Sequence, residues 1–318
     1  MPKLQIINIE LMRRREFFRK SIGAGVATGA ALSIGGYNKL WAHTSSSSEV
    51  YDLVAVKGGE PDVMFDRAIS AIGGMGRFVK KNQTVVVKPN IGWDRLPERA
   101  ANTNPVLIGR IIEHCFNAGA REVFVFDHTS DTWTKCYKSS GIEKSVKDAG
   151  GKMLPGNTEN YYQEVTIPKG KKLKSTKVHE LILGSDVFIN VPVLKNHTST
   201  KLSLSMKNLM GAVWDRRYWH KNDLHQCIAD YATFYRKPDL NIIDAYNVIM
   251  KNGPQGVSVS DVLNMKSQLM STDMVAIDAA AAKFFGMEPA KVPHIRIADE
   301  MKVGTMDLSQ LNIGRIKV

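Results

Sequence analysis

The chain has 318 residues, 43% of them hydrophobic and 23% charged, proportions of a globular protein rather than a disordered or fibrous one. At roughly 100–200 residues per domain this is one large domain or two intimate ones, with a core that needs no disulfide framework. The formal charge of +12 is inflated by residues 1–42, which carry seven Lys/Arg against two Asp/Glu; the mild basic bias that remains suits a small anionic ligand, and no nucleic-acid-binding signature accompanies it.

The first element is a leader. "RRREFFRKSIGAGVATGAALSIGG" (13–36) sets a basic segment before a weakly apolar Gly/Ala run. That run, about 15 residues, is short of the ~20 that span a membrane. Arg14-Arg15-Glu16-Phe17-Phe18-Arg19 resembles the twin-arginine export signal, an arginine pair before a large apolar pair. The resemblance implies residues 1–42 as a signal read by the twin-arginine machinery, 43–50 as a linker, and a periplasmic or other extracytoplasmic protein with no stable membrane span after cleavage. Met12 is an alternative start.

From residue 51 to 318 strands and helices alternate in a single domain. "YDLVAVKG" (51–58) reads as a strand and "DVMFDRAISAIGG" (62–74) as a helix closed by glycines. "QTVVVKPN" (83–90) is a β-branched strand stopped by Pro89. "NPVLIGRIIEHCFNAGA" (104–120) is an amphipathic helix capped by Asn104. Strand "EVFVFDHT" (122–129), a helix around 139–150 and a flap-like stretch over 151–182 follow. Then come strand "SDVFINVPVLK" (185–195), helix "STKLSLSMKNLMGAVW" (199–214), helix "LHQCIADYATFYR" (224–236), strand "DLNIIDAYN" (239–247) and helix "MVAIDAAAAKFFG" (274–286) with Asp273 as cap. The pattern predicts an α/β fold: a largely parallel twisted sheet with helices on both faces and a small antiparallel flap.

In such folds ligands bind beyond the carboxyl ends of the strands. Those ends carry Lys88 and Asn90, then Asp127 and His128, then Lys195 and His197, then Asp244. The helix expected next would add its N-terminal dipole, with Lys201 and Asn208 on one side and Lys207 beside them. The lysines fit a carboxylate or phosphate, since each is a compact point charge. The histidines titrate near neutrality and suit proton transfer, with Asp127 and Asp244 orienting a histidine or binding a divalent metal. His220, Asp223 and His225 in "HKNDLHQ" lack the i, i+4 spacing of a shared helix face. "WDRRYWH" (214–220) reads either as a lid or as an ordinary loop, and Gly253 or Gly256 of "KNGPQG" as a turn or a close approach to ligand.

Cys115, Cys136 and Cys227 are widely spaced with no CxxC, so one chain holds no four-cysteine zinc or iron–sulfur site. Cys115 reads as a buried thiol, and one disulfide stays open in an oxidising compartment.

The segments "VVVKPNIGW" (85–93), 104–127, "VFINVPVLKNHTSTKLSLSMKNLMGAV" (187–213), 240–256 and 272–287 resemble domain-of-unknown-function family 362, over about residues 80–290. Matched positions are Lys88, Asn90, Lys195, His197, Lys207, Asn208, Asp244, Gly253, Pro254, Asp273 and Asp278. The resemblance implies a ligand site at Lys88, Asn90, Lys195, Lys207, Asn208, Gly253 and Asp273 but no activity. The ferredoxin-type module of some members has no cysteines here. The layout over 83–128 is also similar to the amino-terminal half of the lactate racemase group, an architectural likeness only. Two readings remain: an enzyme acting on a small anion, with His197, His128, Asp127 and Asp244 catalytic, or an accessory protein holding an anion or metal cofactor for a redox partner.

Overall fold

The computed structural model describes residues 50–318; the leader expected over 1–42 and nearly all of the linker over 43–50 lie outside the described residues. The strands are β1 (Leu53–Lys57), β2 (Thr84–Pro89), β3 (Glu122–Val125), β4 (Lys152–Met153), β5 (Tyr162–Thr166), β6 (Ser175–His179), β7 (Val187–Val191), β8 (Val193–His197), β9 (Lys201–Ser203), β10 (Leu240–Ile249), β11 (Val262–Ser271) and β12 (Ile313–Lys317). The helices are α1 (Pro61–Ala71), α2 (Pro105–Asn117), α3 (Trp133–Ser139), α4 (Ile142–Asp148), α5 (Glu180–Gly184), α6 (Ser205–Asn208), α7 (Arg216–Lys221), α8 (Leu224–Tyr231), α9 (Met274–Phe284) and α10 (Pro293–Glu300).

The main sheet runs β12-β1-β11-β10-β7-β2-β3-β4, with β8 against β10 and β9 against β8. From β10 to β4 all neighbours are parallel, while β11 is antiparallel to both of its own. β5 and β6 form a separate antiparallel pair within the stretch expected to be a flap.

Side chains alternate across each strand and so feed two cores. Val85, Val87, Val123, Val125 and Ile189 pack under α1–α4. Val86, Phe126, Phe188 and Ile243 pack on the other face under α5–α10. The β-branched run of β2 is buried on both sides, which is why it reads as apolar without a period. Local chemistry starts the helices as expected. Pro61, Pro105 and Pro293 occupy first-turn positions, where a missing N–H costs nothing. Asn104 accepts from Val106 N at 2.9 Å.

Several expected elements differ. The helix expected around 139–150 is α4, and a further helix, α3, precedes it, parted from it where Gly141 adopts φ +73°. The strand over 185–195 breaks at Pro192 into β7 and β8. The helix over 199–214 is a hairpin strand, β9, followed by the four-residue α6 and a 3-10 turn over Leu209–Ala212. Lys201 opens β9 at φ +68° opposite His197, so it leaves the helix face it was expected to share with Asn208, and its side chain is exposed. β11 and β12 complete the sheet where no strand was expected. All three cysteines are free and buried, so no disulfide forms among them. Among the described residues no helix is long and apolar enough to cross a membrane.

Candidate anion-binding cleft

The break at Pro192 makes the site. Lys88 and Pro89 of β2 pair with Asn190 and Val191 of β7. Beyond Pro192 the chain, now β8, pairs with β10 and β9 and no longer with β2. The sheet therefore parts past the end of β2. A cleft of about 440 Å³ opens there, beyond the carboxyl ends of β2, β3 and β7.

Of the residues singled out from sequence, Asn90, Asp127, His128, Lys195, His197, Lys207 and Asn208 line this cleft. Lys88 lies just behind it, fully buried, with Nζ 2.7 Å from Asp127 Oδ1 and donating to Pro89 O at 2.8 Å. The other carboxylate oxygen, Asp127 Oδ2, accepts from Ile91 N at 2.7 Å. Tyr137 clamps the Asp127 backbone, its hydroxyl donating to Asp127 O at 2.9 Å and accepting from Asp127 N at 3.0 Å. Over this ion pair sits Gly211. A Cβ there would fall 1.8 Å from Asp127 Oδ1 and 2.6 Å from Lys88 Nζ, so only glycine fits.

Lys195 is almost fully buried in β8. Its Nζ donates to Asn90 Oδ1 at 2.8 Å and to Ala101 O. Burial, then the nearby Lys207, push its ammonium down to about 7, with Asp127 opposing and Lys88 adding to the shift. Lys207 of α6 makes no side-chain hydrogen bond or ion pair among the described residues. Burial, then Arg216 and Lys88, push it down to about 8, against the pull of Asp127. Arg216 donates to His128 O and Thr129 O, each at 2.8 Å, and lines the same space. Asn208 Nδ2 donates to Asn190 Oδ1 at 2.9 Å and Lys88 O at 3.3 Å, leaving its buried Oδ1 as an unused acceptor.

The two histidines present opposite chemistry. His128 Nδ1 sits 2.9 Å from Val213 O and so carries the proton, which makes Nε2 a lone-pair acceptor. Burial, then Arg216, lower its pKa, and its ring stacks on Trp214 at 5.0 Å. His197 Nδ1 accepts from Ser199 N at 3.1 Å, so its proton lies on Nε2. Burial, then Lys207, Lys195 and His220, push it down to about 3, so it stays a neutral donor at physiological pH.

Three expected site residues lie elsewhere. Asp244 is inside β10 rather than at its end; its carboxylate accepts from Asn104 N at 2.7 Å and Tyr246 N at 3.0 Å, and burial raises it to about 6 against those bonds. Asp273 caps α9, accepting from Val275 N at 2.7 Å and Ala276 N at 3.0 Å, and also from Thr305 N. Gly253 allows a close approach, but to protein: an added Cβ would meet Asn196 O at 1.8 Å, while the adjoining Pro254 reaches the cleft. The helix dipole expected behind the anion is also taken, because Asp278 accepts from Ser205 N at 2.7 Å and Met206 N at 3.0 Å. Gly211, Arg216 and His220 also line the cleft; Gly211 and Arg216 were not assigned from sequence, and His220 was weighed only with Asp223 and His225. Arg216 and His220 lay in "WDRRYWH", and Gly211 near the end of the segment 187–213. His225 faces His294 instead, Nδ1 to Nδ1 at 3.2 Å. Among the described residues no three His, Cys, Asp or Glu side chains are grouped to hold a metal ion.

The family described as "Domain of unknown function (DUF362)" matches residues 85–283. The chain belongs to that family. Within DUF362 it is similar to the "Thylakoid-associated protein sll1697" of Synechocystis sp., 25% identical over 244 residues, which cover 71% of this chain and 70% of that protein. Solved structures similar to it include a lactate racemase apoprotein from Thermoanaerobacterium thermosaccharolyticum (14% identity, TM-score 0.44, 70% of this chain and 55% of that one). Another is a protein from Thermotoga maritima (12% identity, TM-score 0.43, 58% of this chain and 51% of that one). The DUF362 chain thus spans about half the length of the two structures it matches. The match over 85–283 takes in the cleft-lining residues from Asn90 to Pro254.

Removing one member of a buried pair strands the other charge, at a cost of about 3–5 kcal/mol. Asp127→Asn is expected to lower urea-unfolding stability by that amount, and Lys88→Met combined with Asp127→Asn to recover most of it. An Asp127→Asn variant as stable as the parent would show that the pair is not the floor of the site.

Proposed function

We propose that the cleft of this DUF362 protein binds a small carboxylate or phosphate and acts on it as an enzyme. One observation carries the reading: among the described lining residues Asp127 is the sole acid, against the cations Lys207, Arg216 and Arg217. That acid is already engaged by Lys88 and Ile91 N. Cations that depress one another in a desolvated cleft gain by taking in an anion. Lys207 and Arg216 hold the anion. His128, with Nε2 free to accept a proton, and His197, with Nε2–H to donate, serve as base and hydrogen-bond donor. Asn208 Oδ1 offers an acceptor to a ligand hydroxyl or amine.

The test is thermal melting and calorimetry with inorganic phosphate and small carboxylates. A ligand at 100 times its Kd adds about 2.7 kcal/mol of stability. Lys207→Ala and Arg216→Ala are expected to abolish the shift, and Lys201→Ala, exposed on β9, to leave it. Binding is strong below about pH 8, where Lys207 is protonated, and weakens above it. No shift in the parent, or a full shift in Lys207→Ala, rules the site out.

Export by the twin-arginine route to an extracytoplasmic compartment is proposed on Arg14 and Arg15. Replacing both by lysine is expected to hold the protein in the cytoplasm on fractionation; unchanged export would end that proposal.

A further inference from the structure

Lys88 and Lys195 are both buried lysines at the same rim, yet their partners differ in kind. Lys88 faces a carboxylate, whose charge favours its ammonium against the downward push of burial. Lys195 faces two neutral acceptors, Asn90 Oδ1 and Ala101 O. A neutral amine has two N–H bonds and one lone pair. Two acceptors satisfy those bonds and leave the lone pair over; an ammonium would instead carry an unspent third proton in a buried place, at a desolvation cost.

Both acceptors are held. Asn90 N donates to Thr103 Oγ1 at 2.8 Å, and Thr103 N returns a bond to Asn90 O at 2.9 Å. Thr103 Oγ1 itself donates to Val191 O at 2.7 Å. The strap over residues 90–103 is thus pinned to the end of β7 and orients the amine. Lys195 also lines the cleft beside Lys207 and His197. From these positions we infer that Lys195 is a nucleophile that forms an imine with the carbonyl carbon of a 2-oxo acid, whose carboxylate is held by Lys207 and Arg216. The inference rests on the anion-binding reading above and names the substrate class for it.

The step balances without a further reactant. The Nζ lone pair bonds to the carbonyl carbon, and the carbonyl π pair moves to oxygen. The oxygen takes a proton as the nitrogen gives one up, leaving a carbinolamine. The nitrogen pair then forms the C=N bond as the C–O bond breaks, and the nitrogen's remaining proton passes to the departing hydroxyl, which leaves as water. His197 Nε2–H is placed to hydrogen-bond the oxygen as its charge grows, and His128 Nε2 to accept a proton. The lysine's depression to about 7 agrees with a neutral amine near neutrality. This sets a pH window: the amine must lose its proton, so attack rises through about 7, while Lys207 must keep its own, so capture falls above about 8.

The full chain is incubated with pyruvate and sodium cyanoborohydride, then analysed by intact mass and peptide mapping. The expected result is a single reduced pyruvate adduct on Lys195, saturable, slowed by inorganic phosphate, greatest between about pH 7 and 8, and lost in Lys195→Arg. Phosphate-induced melting shifts, measured in parallel on the parent and on Lys195→Arg, report the anion site separately. A phosphate shift without an adduct, or adducts on exposed lysines such as Lys201 that persist in Lys195→Arg, overturns the imine and leaves the anion site standing. Loss of both the shift and the adduct in the parent overturns both. If Lys195→Arg does not fold, the peptide map of the parent decides alone.

Discussion

The site depends on a buried ion pair that uses up the only acid among its described lining residues. Lys88 and Asp127 meet at 2.7 Å beneath Gly211, and the second oxygen of Asp127 is spent on Ile91 N. A free carboxylate at that point would have neutralised one of Lys207 and Arg216 and weakened the pull on a ligand. With that acid engaged, burial lowers the proton affinity of Lys195, Lys207 and Arg216, and Lys207 beside Lys195 and Arg216 beside Lys207 lower the two lysines further. On the proposed reading, an anion from outside offsets the cost of burying them. The glycine is part of the same device, since any side chain at 211 would part the pair.

Topology provides the room. Parallel strands place their carboxyl ends on one rim, but a continuous sheet has no pocket at that rim. Here β7 stops at Val191 and the chain sidesteps at Pro192 into β8, which keeps its bonds to β10 and turns back through β9. The gap that results lies between Asn90 on one side and Lys195 and His197 on the other. The same break aims Lys195 at Asn90 across it.

How much of this was legible in the residues varies with the physics. β2, β3, β7 and α2 were readable because β-branched runs and a 3.6-residue stripe bounded by Asn and Pro admit few alternatives. The rim set Lys88, Asn90, Asp127, His128, Lys195 and His197 followed from those strands and a general rule about parallel sheets. β11 was not readable: "VLNMKSQLMS" is fully buried only over its second half, which carries Ser267, Gln268 and Ser271, so it shows neither a clean alternation nor an apolar run. The stretch after His197 misled because Leu202, Met206 and Leu209 fit a helix stripe, while Leu202, Leu204 and Met206 fit an alternation equally well; the hairpin with β8 decided between them. Asp273 and Asp244 have the chemistry of ligand binders, but their oxygens are taken by backbone N–H groups that only the fold brings near. Arg216 reaches the site through two carbonyls far away in the chain, a contact no local pattern encodes.

The most direct measurement is crystallographic. Crystals of the protein soaked in selenate and measured at the selenium edge should give an anomalous peak within hydrogen-bonding reach of Lys207 Nζ and the Arg216 guanidinium, weakened by competing phosphate. Selenium peaks at exposed lysines, with the cleft between β2 and β8 left empty, would contradict the claim that its unbalanced positive charge draws in an anion.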